Sequence, residues 1–224
     1  EGLARKLAHE IKNPLTPIQL TIDKLKSKYS KKIEDYEKDD FEKSLKIIGK
    51  QIKQIENLVN EFSDFARMPK PILKDNDLVP LIKDNINLIN ELDSNIAINF
   101  ESNKLEIILN SDSEQLSRVF FNLIKNSIES IHEKKLNNVN FNGKIDIILN
   151  DNEFDITFVI MDNGMGFEVF AENIKNILNP YFTTKKKGTG LGLAIVNKTI
   201  NDHNGKIEFV PNDSGAKIEI IFTK

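Results

Sequence analysis

Hydrophobic residues in the first 66 positions recur at steps of three and four. Side chains at that spacing share one face of an α-helix, so two helical segments are predicted. The first series is Leu3, Leu7, Ile11, Leu15, Ile18, Ile22 and Leu25, and the second is Phe41, Leu45, Ile48, Ile52, Ile55, Leu58, Phe62 and Phe65. Residues 30–40 are almost all charged or polar and are predicted to form the turn between the helices.

The predicted hairpin has one continuous apolar face, and two helices alone cannot bury it. Association of two copies into a four-helix bundle would cover it, as would packing against the rest of the same chain. We expect the homodimer. Two prolines separated by one residue, Pro69 and Pro71, break the helical pattern, so we place a boundary there.

The remaining residues alternate between helical and strand patterns. Helices are predicted at 78–92 and 113–132 and after a glycine-rich turn within 188–201. Strands are predicted at 96–100, 105–109, 144–149, 154–161, 206–210 and 216–222. Because regular βαβ units are missing from this pattern, we expect a mostly antiparallel sheet with helices on one face. The α+β chain then divides into a helical hairpin (1–68), a linker (69–76) and a second domain (77–224).

Composition excludes several classes of protein. The 224 residues carry a net charge of −3 and contain no cysteine, so neither a basic field for nucleic acid nor a disulfide or thiolate metal site is expected. No apolar run in this sequence reaches the roughly 20 residues of a membrane helix, and we expect no signal peptide among these residues. Because Leu3, Leu7 and Ile11 are already in helical phase, we expect the chain to be part of a longer protein.

Asn122 and Asn126 lie four residues apart on the predicted helix 113–132, and therefore on one face. Two amide side chains on one face can hold a hydrated Mg²⁺ ion and phosphate oxygens, because magnesium prefers oxygen ligands. Taken alone, two solvent-facing asparagines are the simpler interpretation.

Asp162 ends a predicted strand and is followed at alternating positions by Gly164 and Gly166. Glycines at such a position let the backbone approach a ligand closely, and a buried carboxylate can accept a hydrogen bond from an exocyclic amine. An ordinary hairpin turn is an equally good interpretation of this motif alone.

Two further motifs offer donors for phosphate. Residues 179–185 combine aromatic and hydroxyl side chains and end in Lys185, although a solvated loop would have the same composition. The alternating glycines Gly188, Gly190 and Gly192 open a predicted helix, as in sites where backbone N–H groups face an anion. The segment matches neither the P-loop nor the dinucleotide-binding fingerprint.

In this order, the four motifs resemble the N, G1, F and G2 boxes of the histidine-kinase ATP-binding domain, which belongs to the superfamily of DNA gyrase B, Hsp90 and MutL. The resemblance implies an α/β sandwich that binds ATP and Mg²⁺ between the long helix and a lid at about 167–187. It implies a metal ligand in Asn126 with Asn122 beside the phosphates, an adenine-binding carboxylate in Asp162, and a pocket shaped by Gly164 and Gly166. The implied phosphate contacts are Gly188, Gly190 and Gly192, with Lys185 and Arg118 as further candidates.

In the gyrase and Hsp90 branches a glutamate on this helix activates water, but Asn122 stands at that position here. An amide cannot act as a general base near neutral pH. The resemblance therefore favours phosphoryl transfer to a protein group over rapid ATP hydrolysis.

His9 begins the sequence His-Glu-Ile-Lys-Asn-Pro-Leu-Thr-Pro, residues 9–17. It falls between Leu7 and Ile11 of the apolar stripe, so its side chain is expected to face solvent. A neutral imidazole is a competent nucleophile, Glu10 could accept or orient the ring proton, and Pro14 should loosen the helix. We expect the other histidines, His132 and His203, to be ordinary helix-end residues.

This stretch resembles the H box of sensor histidine kinases, and its Thr-Pro ending resembles the nitrogen-regulation kinases of the NtrY/NtrB type. The resemblance implies autophosphorylation of His9, transfer to an aspartate of a response regulator, and a phosphatase role for Asn13. It also implies a cytoplasmic location for these residues and an inner-membrane anchor in the full-length protein. An ATP-hydrolysing conformational machine and a non-enzymatic scaffold remain the alternatives.

Overall fold

A computed structural model describes residues 2–30, 32–66, 68–92, 95–138, 140–167, 176–180, 182–183, 189–212 and 214–224. The chain separates into two compact units, Glu1–Pro69 and Lys70–Lys224. Within the described residues, no helix is both long and apolar enough to cross a bilayer.

The first unit consists of helices α1 (Gly2–Tyr29) and α2 (Asp35–Ala66), which confirms the predicted hairpin. Its buried core contains Leu15 and Ile22 from α1 with Leu45 and Ile52 from α2. The turn is shorter than predicted, because α2 begins at Asp35 and not after residue 40. Asp, Glu and Lys side chains tolerate an exposed helix, and acidic residues are favourable at a helix N-terminus, so a charged run does not by itself mark a turn.

Part of the apolar stripe of each helix stays exposed in this unit. Ile11 and Ile18 on α1 are 41% and 45% exposed, and Ile48 and Ile55 on α2 are 45% and 42% exposed. Helix–helix packing within the hairpin therefore buries only one side of each stripe. An exposed apolar face of this kind is typical of a surface that another chain covers.

The second unit contains, in chain order, β1 (Lys74–Asp77), α3 (Leu78–Leu92), β2 (Ala97–Ser102), β3 (Ile108–Ser111), α4 (Ser113–Asn137), β4 (Lys144–Asp151), β5 (Asp155–Asp162), α5 (Gly192–Asp202), β6 (Gly205–Val210) and β7 (Lys217–Thr223). Among the described strands, the main sheet has the order β2-β4-β5-β7-β6, and β1 pairs with β3 separately. β2 runs parallel to β4, and the other pairs are antiparallel. The predicted mostly antiparallel sheet is thus confirmed, with one parallel pair added.

Two boundaries differ from the prediction for a structural reason. Lys74 pairs with Ser111 in β1, so the end of the predicted linker 69–76 is a paired strand of the second unit. The strand predicted at 105–109 begins at Ile108 instead, and Leu105 is 96% exposed. The carboxylate of Asp77 accepts a hydrogen bond from the backbone N–H of Ile107 (3.0 Å), which fixes where the pairing starts.

Helix α4 is the central helix of the second unit. Its apolar residues, including Leu116, Phe120 and Ile124, are fully buried against the inward-facing residues of β4 and β5. The ring of Phe120 lies 4.8 Å from that of Phe158 on β5. α4 also contacts α3 and α5, so the helices lie on one face of the sheet. It extends to Asn137, five residues beyond the predicted end, and His132 is therefore not at a helix end.

Asp112 connects the start of α4 to two other segments. Its carboxylate accepts hydrogen bonds from the backbone N–H groups of Gln115 (3.1 Å) and Ile72 (2.9 Å). Its own N–H donates to Nε2 of His203 (2.9 Å), so Nδ1 of that ring carries the proton and donates to the carbonyl of Thr199 (2.8 Å). His203 is only 6% exposed and is thus a buried link between α5 and α4, not the ordinary helix-end residue expected.

Removing this cap should weaken the second unit. Asp112→Ala is expected to lower the free energy of unfolding by about 1–2 kcal/mol near neutral pH, since it removes an N-cap. Burial disfavours the charge of Asp112, but the N–H groups of Ile72, Gln115 and Glu114 outweigh it and lower the pKa of the carboxyl. The difference in free energy of unfolding between wild type and variant should therefore be present at pH values above the pKa of Asp112 in the unfolded chain. It should vanish as the pH falls through the lower pKa of Asp112 in the folded protein.

Urea denaturation from pH 7 down to pH 3 measures this difference. Asp84→Ala, at an exposed carboxylate on α3, is the matched control and should stay within about 0.5 kcal/mol of wild type. A loss for Asp112→Ala no larger than that of the control contradicts the capping role.

Candidate functional site

The polar flank of α4 carries both predicted asparagines. Asn122 and Asn126 are half-buried, four residues apart, beside the buried apolar face of the helix. Their side-chain amides make no hydrogen bond to another residue in the described part of the chain. Both amide oxygens are therefore available, and oxygen atoms are the ligands that magnesium prefers.

Asp162 is the last residue of β5 and is only 6% exposed. One carboxylate oxygen, Oδ1, accepts hydrogen bonds from the N–H groups of Gly164 (2.9 Å) and Ala216 (3.3 Å). Burial raises the pKa of this carboxyl, and hydrogen bonds from Gly164, Ser127 and Ala216 together with the charge of Lys134 reduce the rise only in part. A buried carboxylate with one oxygen held by the backbone can present the other to a donor on a ligand.

Three glycines allow the backbone around Asp162 to pack closely. A Cβ on Gly164 would lie 2.7–2.8 Å from backbone atoms of Ser130 and Ile131, so this loop lies directly against α4. Gly166 has φ = 76°, and a Cβ there would lie 2.7 Å from the carbonyl oxygen of Gly215. Gly215 has φ = 74°, and its Cβ would overlap the carbonyl oxygen of Asp162. Side chains are therefore excluded from the backbone that surrounds this carboxylate.

The middle residue of the motif has a structural role. The side-chain amide of Asn163 accepts from the N–H of Lys144 (2.8 Å) and donates to the carbonyl of Asn142 (2.9 Å). It thereby fastens the loop to the start of β4. Among the described residues no strand that pairs with β5 follows this loop directly, so the motif is not the hairpin turn of the alternative interpretation. It is a bend that holds a buried carboxylate in place.

Sequence reasoning missed four residues that act on Asp162: Ser127, Lys134, Gly215 and Ala216. Ala216 begins the predicted strand 216–222 and Gly215 precedes it, and their approach to Asp162 depends on the pairing of β5 with β7. Ser127 directly follows Asn126, and Lys134 lies two turns further along α4. Helical spacing could have indicated the two helix residues, but the sequence offered no signal for the other two.

The glycine segment before α5 leaves the N-terminus of that helix open. Gly190 has φ = 69°, Leu191 is buried, and the helix has no side-chain cap. A Cβ on Gly192 would meet no atom within 4 Å, so there is free space at this point. Uncapped N–H groups at the start of a helix form a favourable environment for an anion. Lys185 and Gly188 lie outside the described residues.

The predicted lid falls largely outside the described residues. Its first residue, Phe167, packs edge-on against Phe209 at 5.0 Å, and a turn joins Asn176 to Asn179 through a backbone hydrogen bond of 2.9 Å. Arg118 is exposed on α4, one turn before Asn122, and lines a shallow depression of about 470 Å³ with Ser113, Glu114, Ser117 and Leu81.

His9 is exposed on α1, and Ala8 beside it is buried. Glu10 and Asn13 are also exposed, and Asn13 lies four residues after His9, on the same face. The helix continues through Pro14 and Pro17, which have no N–H to donate to the carbonyls of Glu10 and Asn13. Two carbonyls of α1 therefore lack their usual helical donor, and the loosening of the helix at Pro14 stays a prediction.

The fold and these motifs together define an ATPase-type domain that follows a phospho-acceptor helical hairpin. Residues 111–224 match the family described as histidine kinase-, DNA gyrase B-, and HSP90-like ATPase, and residues 1–71 match the His kinase A (phospho-acceptor) domain. The chain belongs to the histidine kinases.

Two curated relatives and one solved structure agree with this assignment. The chain is 40% identical over 221 residues to the NtrY-like sensor histidine kinase of Rickettsia prowazekii (strain Madrid E), covering 98% of this chain and 35% of that protein. It is 36% identical to the nitrogen regulation protein NtrY of Azorhizobium caulinodans, covering 97% and 28%. The histidine kinase ThkA in complex with the response regulator TrrA matches with a TM-score of 0.68 and 26% identity, covering 100% of this chain and 61% of that one. The chain thus spans about a third of the length of the curated relatives that it matches.

Close packing at Gly164 should make this position intolerant of a side chain. Gly164→Ala is expected to destabilise the second unit by roughly 1–3 kcal/mol, since its Cβ would meet the backbone of α4. Gly192→Ala, where the Cβ meets nothing within 4 Å, is the matched control and should leave the melting temperature almost unchanged. Thermal unfolding of both variants measures the contrast, and equal melting temperatures would contradict the close packing of this loop on α4.

Asp162→Asn should remove the free-energy cost of burying a charge while keeping one side-chain oxygen that accepts the hydrogen bonds. Because the pKa of Asp162 is raised on folding, its favourable contribution is present below the unfolded pKa and is lost as pH rises through the folded value. The variant should therefore be as stable as wild type near pH 4 and equally or more stable at pH 8. Denaturant titrations at both pH values test this, and a variant that loses stability only at pH 8 would contradict the direction of the shift.

Proposed function

We propose that the chain is the catalytic core of a sensor histidine kinase of a two-component system, which phosphorylates His9 with ATP. The observation that carries the proposal is the buried carboxylate of Asp162, held by the N–H groups of Gly164 and Ala216, in the same unit as the half-buried Asn122 and Asn126 of α4. The carboxylate oxygen that the backbone does not hold suits the exocyclic amine of adenine, and its burial excludes competing water. Family membership supports the same ligand.

The residues present fit a magnesium ion held together with nucleotide phosphates. Asn126 would supply one amide oxygen, and Asn122 would contact the phosphate side of the same site. Among the described residues, no cluster of three or more His, Asp or Glu side chains could hold a metal without the nucleotide. When bound, the ion neutralises charge on the phosphate oxygens. Gly188, Gly190 and Gly192, with Lys185 and Arg118, are the proposed phosphate contacts.

In the proposed reaction the lone pair of a His9 ring nitrogen, Nε2, attacks the γ-phosphorus of ATP. The bond from phosphorus to the bridging oxygen breaks, ADP leaves, and a P–N bond forms. Glu10 accepts or orients the proton at Nδ1 as the ring becomes positively charged. Transfer requires the γ-phosphoryl group to approach His9 directly, so the linker at Pro69 and Pro71 and the predicted lid are the proposed hinges.

The phosphoryl group then passes to an aspartate of a response regulator, with release of the neutral imidazole. The complex of ThkA with its response regulator supports this class of partner. Asn13, on the same face as His9, is proposed to position water when the kinase acts as a phosphatase on that regulator. The exposed face that includes Ile11, Ile18, Ile48 and Ile55 is proposed to form a homodimeric four-helix bundle.

ATP hydrolysis by the chain itself is less well supported. Asn122 stands where the ATP-hydrolysing branches have the glutamate that activates water. Residues 115–128 of α4 contain no carboxylate that could replace it. For the full-length protein we propose a membrane anchor with this part on the cytoplasmic side, since the relatives are sensor kinases about three times as long.

The test of the proposal is autophosphorylation with γ-labelled ATP and Mg²⁺. Wild type should acquire an acid-labile label, because a P–N bond is unstable in acid. His9→Gln should fall to background while retaining ATP binding by calorimetry, and Asp162→Asn should lose both. The matched control is His132→Gln, at an exposed histidine of α4, which should keep the wild-type label.

Full labelling of His9→Gln would remove His9 from the reaction. Free phosphate without labelled protein would favour the ATPase alternative. If folded wild type acquires no label and binds no nucleotide, the result would favour the scaffold.

A further inference from the structure

The side chain of Lys134 reaches from α4 to the loop after β5. Its ammonium donates hydrogen bonds to the carbonyl oxygens of Asn163 (2.7 Å) and Gly164 (2.9 Å). It also lies 4.6 Å from the centre of the Phe141 ring, over the ring face. Two carbonyl oxygens and an aromatic face form a complete site for one cation.

These two carbonyls belong to the segment that orients Asp162. The N–H of Gly164 donates to Oδ1 of Asp162, and the next residue, Met165, donates its N–H to the hydroxyl of Ser130 (2.9 Å). Lys134 and Ser130 lie four residues apart on α4, so they fasten the loop from one face of the helix. Since a side chain at Gly164 is excluded by α4, these polar contacts hold the loop at its closest approach.

We propose that Lys134 is a positioning residue of the nucleotide site, whose ammonium fixes the backbone of Asn163 and Gly164 and thereby the carboxylate of Asp162. The inference deepens the proposed function, since it rests on Asp162 as the group that binds adenine. Lys134 itself need not touch the nucleotide.

The charge of Lys134 has a second effect on the same carboxyl. Burial raises the pKa of Asp162, and the field of Lys134 opposes the rise. Two other lysines lie near Asp162 in the sheet. Lys144 on β4 forms an ion pair with Asp146 at 2.8 Å, and Lys217 on β7 lies opposite Met161 of β5. Among the described residues, Lys134 is therefore the cation that helps to keep Asp162 ionised and able to accept a hydrogen bond.

A general helix effect has to be separated from this role. Lys134 and Lys135 both lie in the last turn of α4, where a cation interacts favourably with the helix dipole. Within the part of the chain that the structure describes, the ammonium of Lys135 donates to the carbonyl of Asn95, at 3.3 Å, and not to the loop after β5. Lys135→Met is therefore the matched control, and Lys134→Arg keeps the charge.

The first measurement uses the chain without nucleotide. The carboxyl carbon of Asp162, assigned by its absence in Asp162→Asn, is titrated by ¹³C NMR. Its midpoint should lie at higher pH in Lys134→Met than in wild type, because a positive charge that opposes the rise is lost. Lys134→Arg should restore most of the difference, and Lys135→Met should match wild type. An unchanged midpoint in Lys134→Met, or an equal shift in Lys135→Met, overturns the inference.

The second measurement is ATP affinity by calorimetry at pH 7.5. Lys134→Met should bind ATP roughly tenfold more weakly, since one charge-assisted contact to the loop is lost, whereas Lys135→Met should bind like wild type. Equal affinity of Lys134→Met and wild type contradicts the positioning role. If folded wild type does not bind ATP, the proposed function fails, while the titration of Asp162 still decides whether Lys134 controls this carboxyl.

Discussion

The second unit is organised around a charge that is costly to bury. A carboxylate at the end of a central strand loses its hydration, and the protein compensates only partly, since the pKa of Asp162 stays raised. Compensation needs N–H groups from two directions, one from Gly164 in the loop after β5 and one from Ala216, the residue before β7. Both approaches require backbone without side chains, which explains the glycines at positions 164, 166 and 215.

Helix α4 connects this carboxylate to the rest of the unit. Its apolar side forms the core with β4 and β5, and its opposite flank presents Asn122 and Asn126. Its C-terminal turns hold the loop after β5 through Ser130 and Lys134, and its N-terminus is tied to α5 through Asp112 and His203. The closely packed core therefore holds in place the polar residues that would bind a nucleotide, as preorganised binding requires.

The first unit follows a different constraint, because its helices bury only half of their apolar stripes. Leu15 and Ile22 lie in the hairpin core, whereas Ile11 and Ile18 are exposed. His9 is exposed on the same helix, close to two prolines that interrupt its backbone bonding. A surface that presents an exposed histidine and unburied isoleucines suits a module that works through contacts with other protein surfaces.

The sequence by itself determined the helices, most strands and the family, because these depend on local periodicity and on short motifs. The hairpin stripes, the helix 78–92 and the histidine motif were all predictable in this way, whereas the chemistry of Asp162 and of the asparagine pair stays a prediction from the family resemblance. Only the tertiary structure decided which residues surround Asp162. Ala216 and Gly215 are more than 50 positions away along the chain, and they reach it because β5 pairs with β7. Local patterns carry no information about such pairing, and the burial of His203 and the contacts of Lys134 depend on packing in the same way.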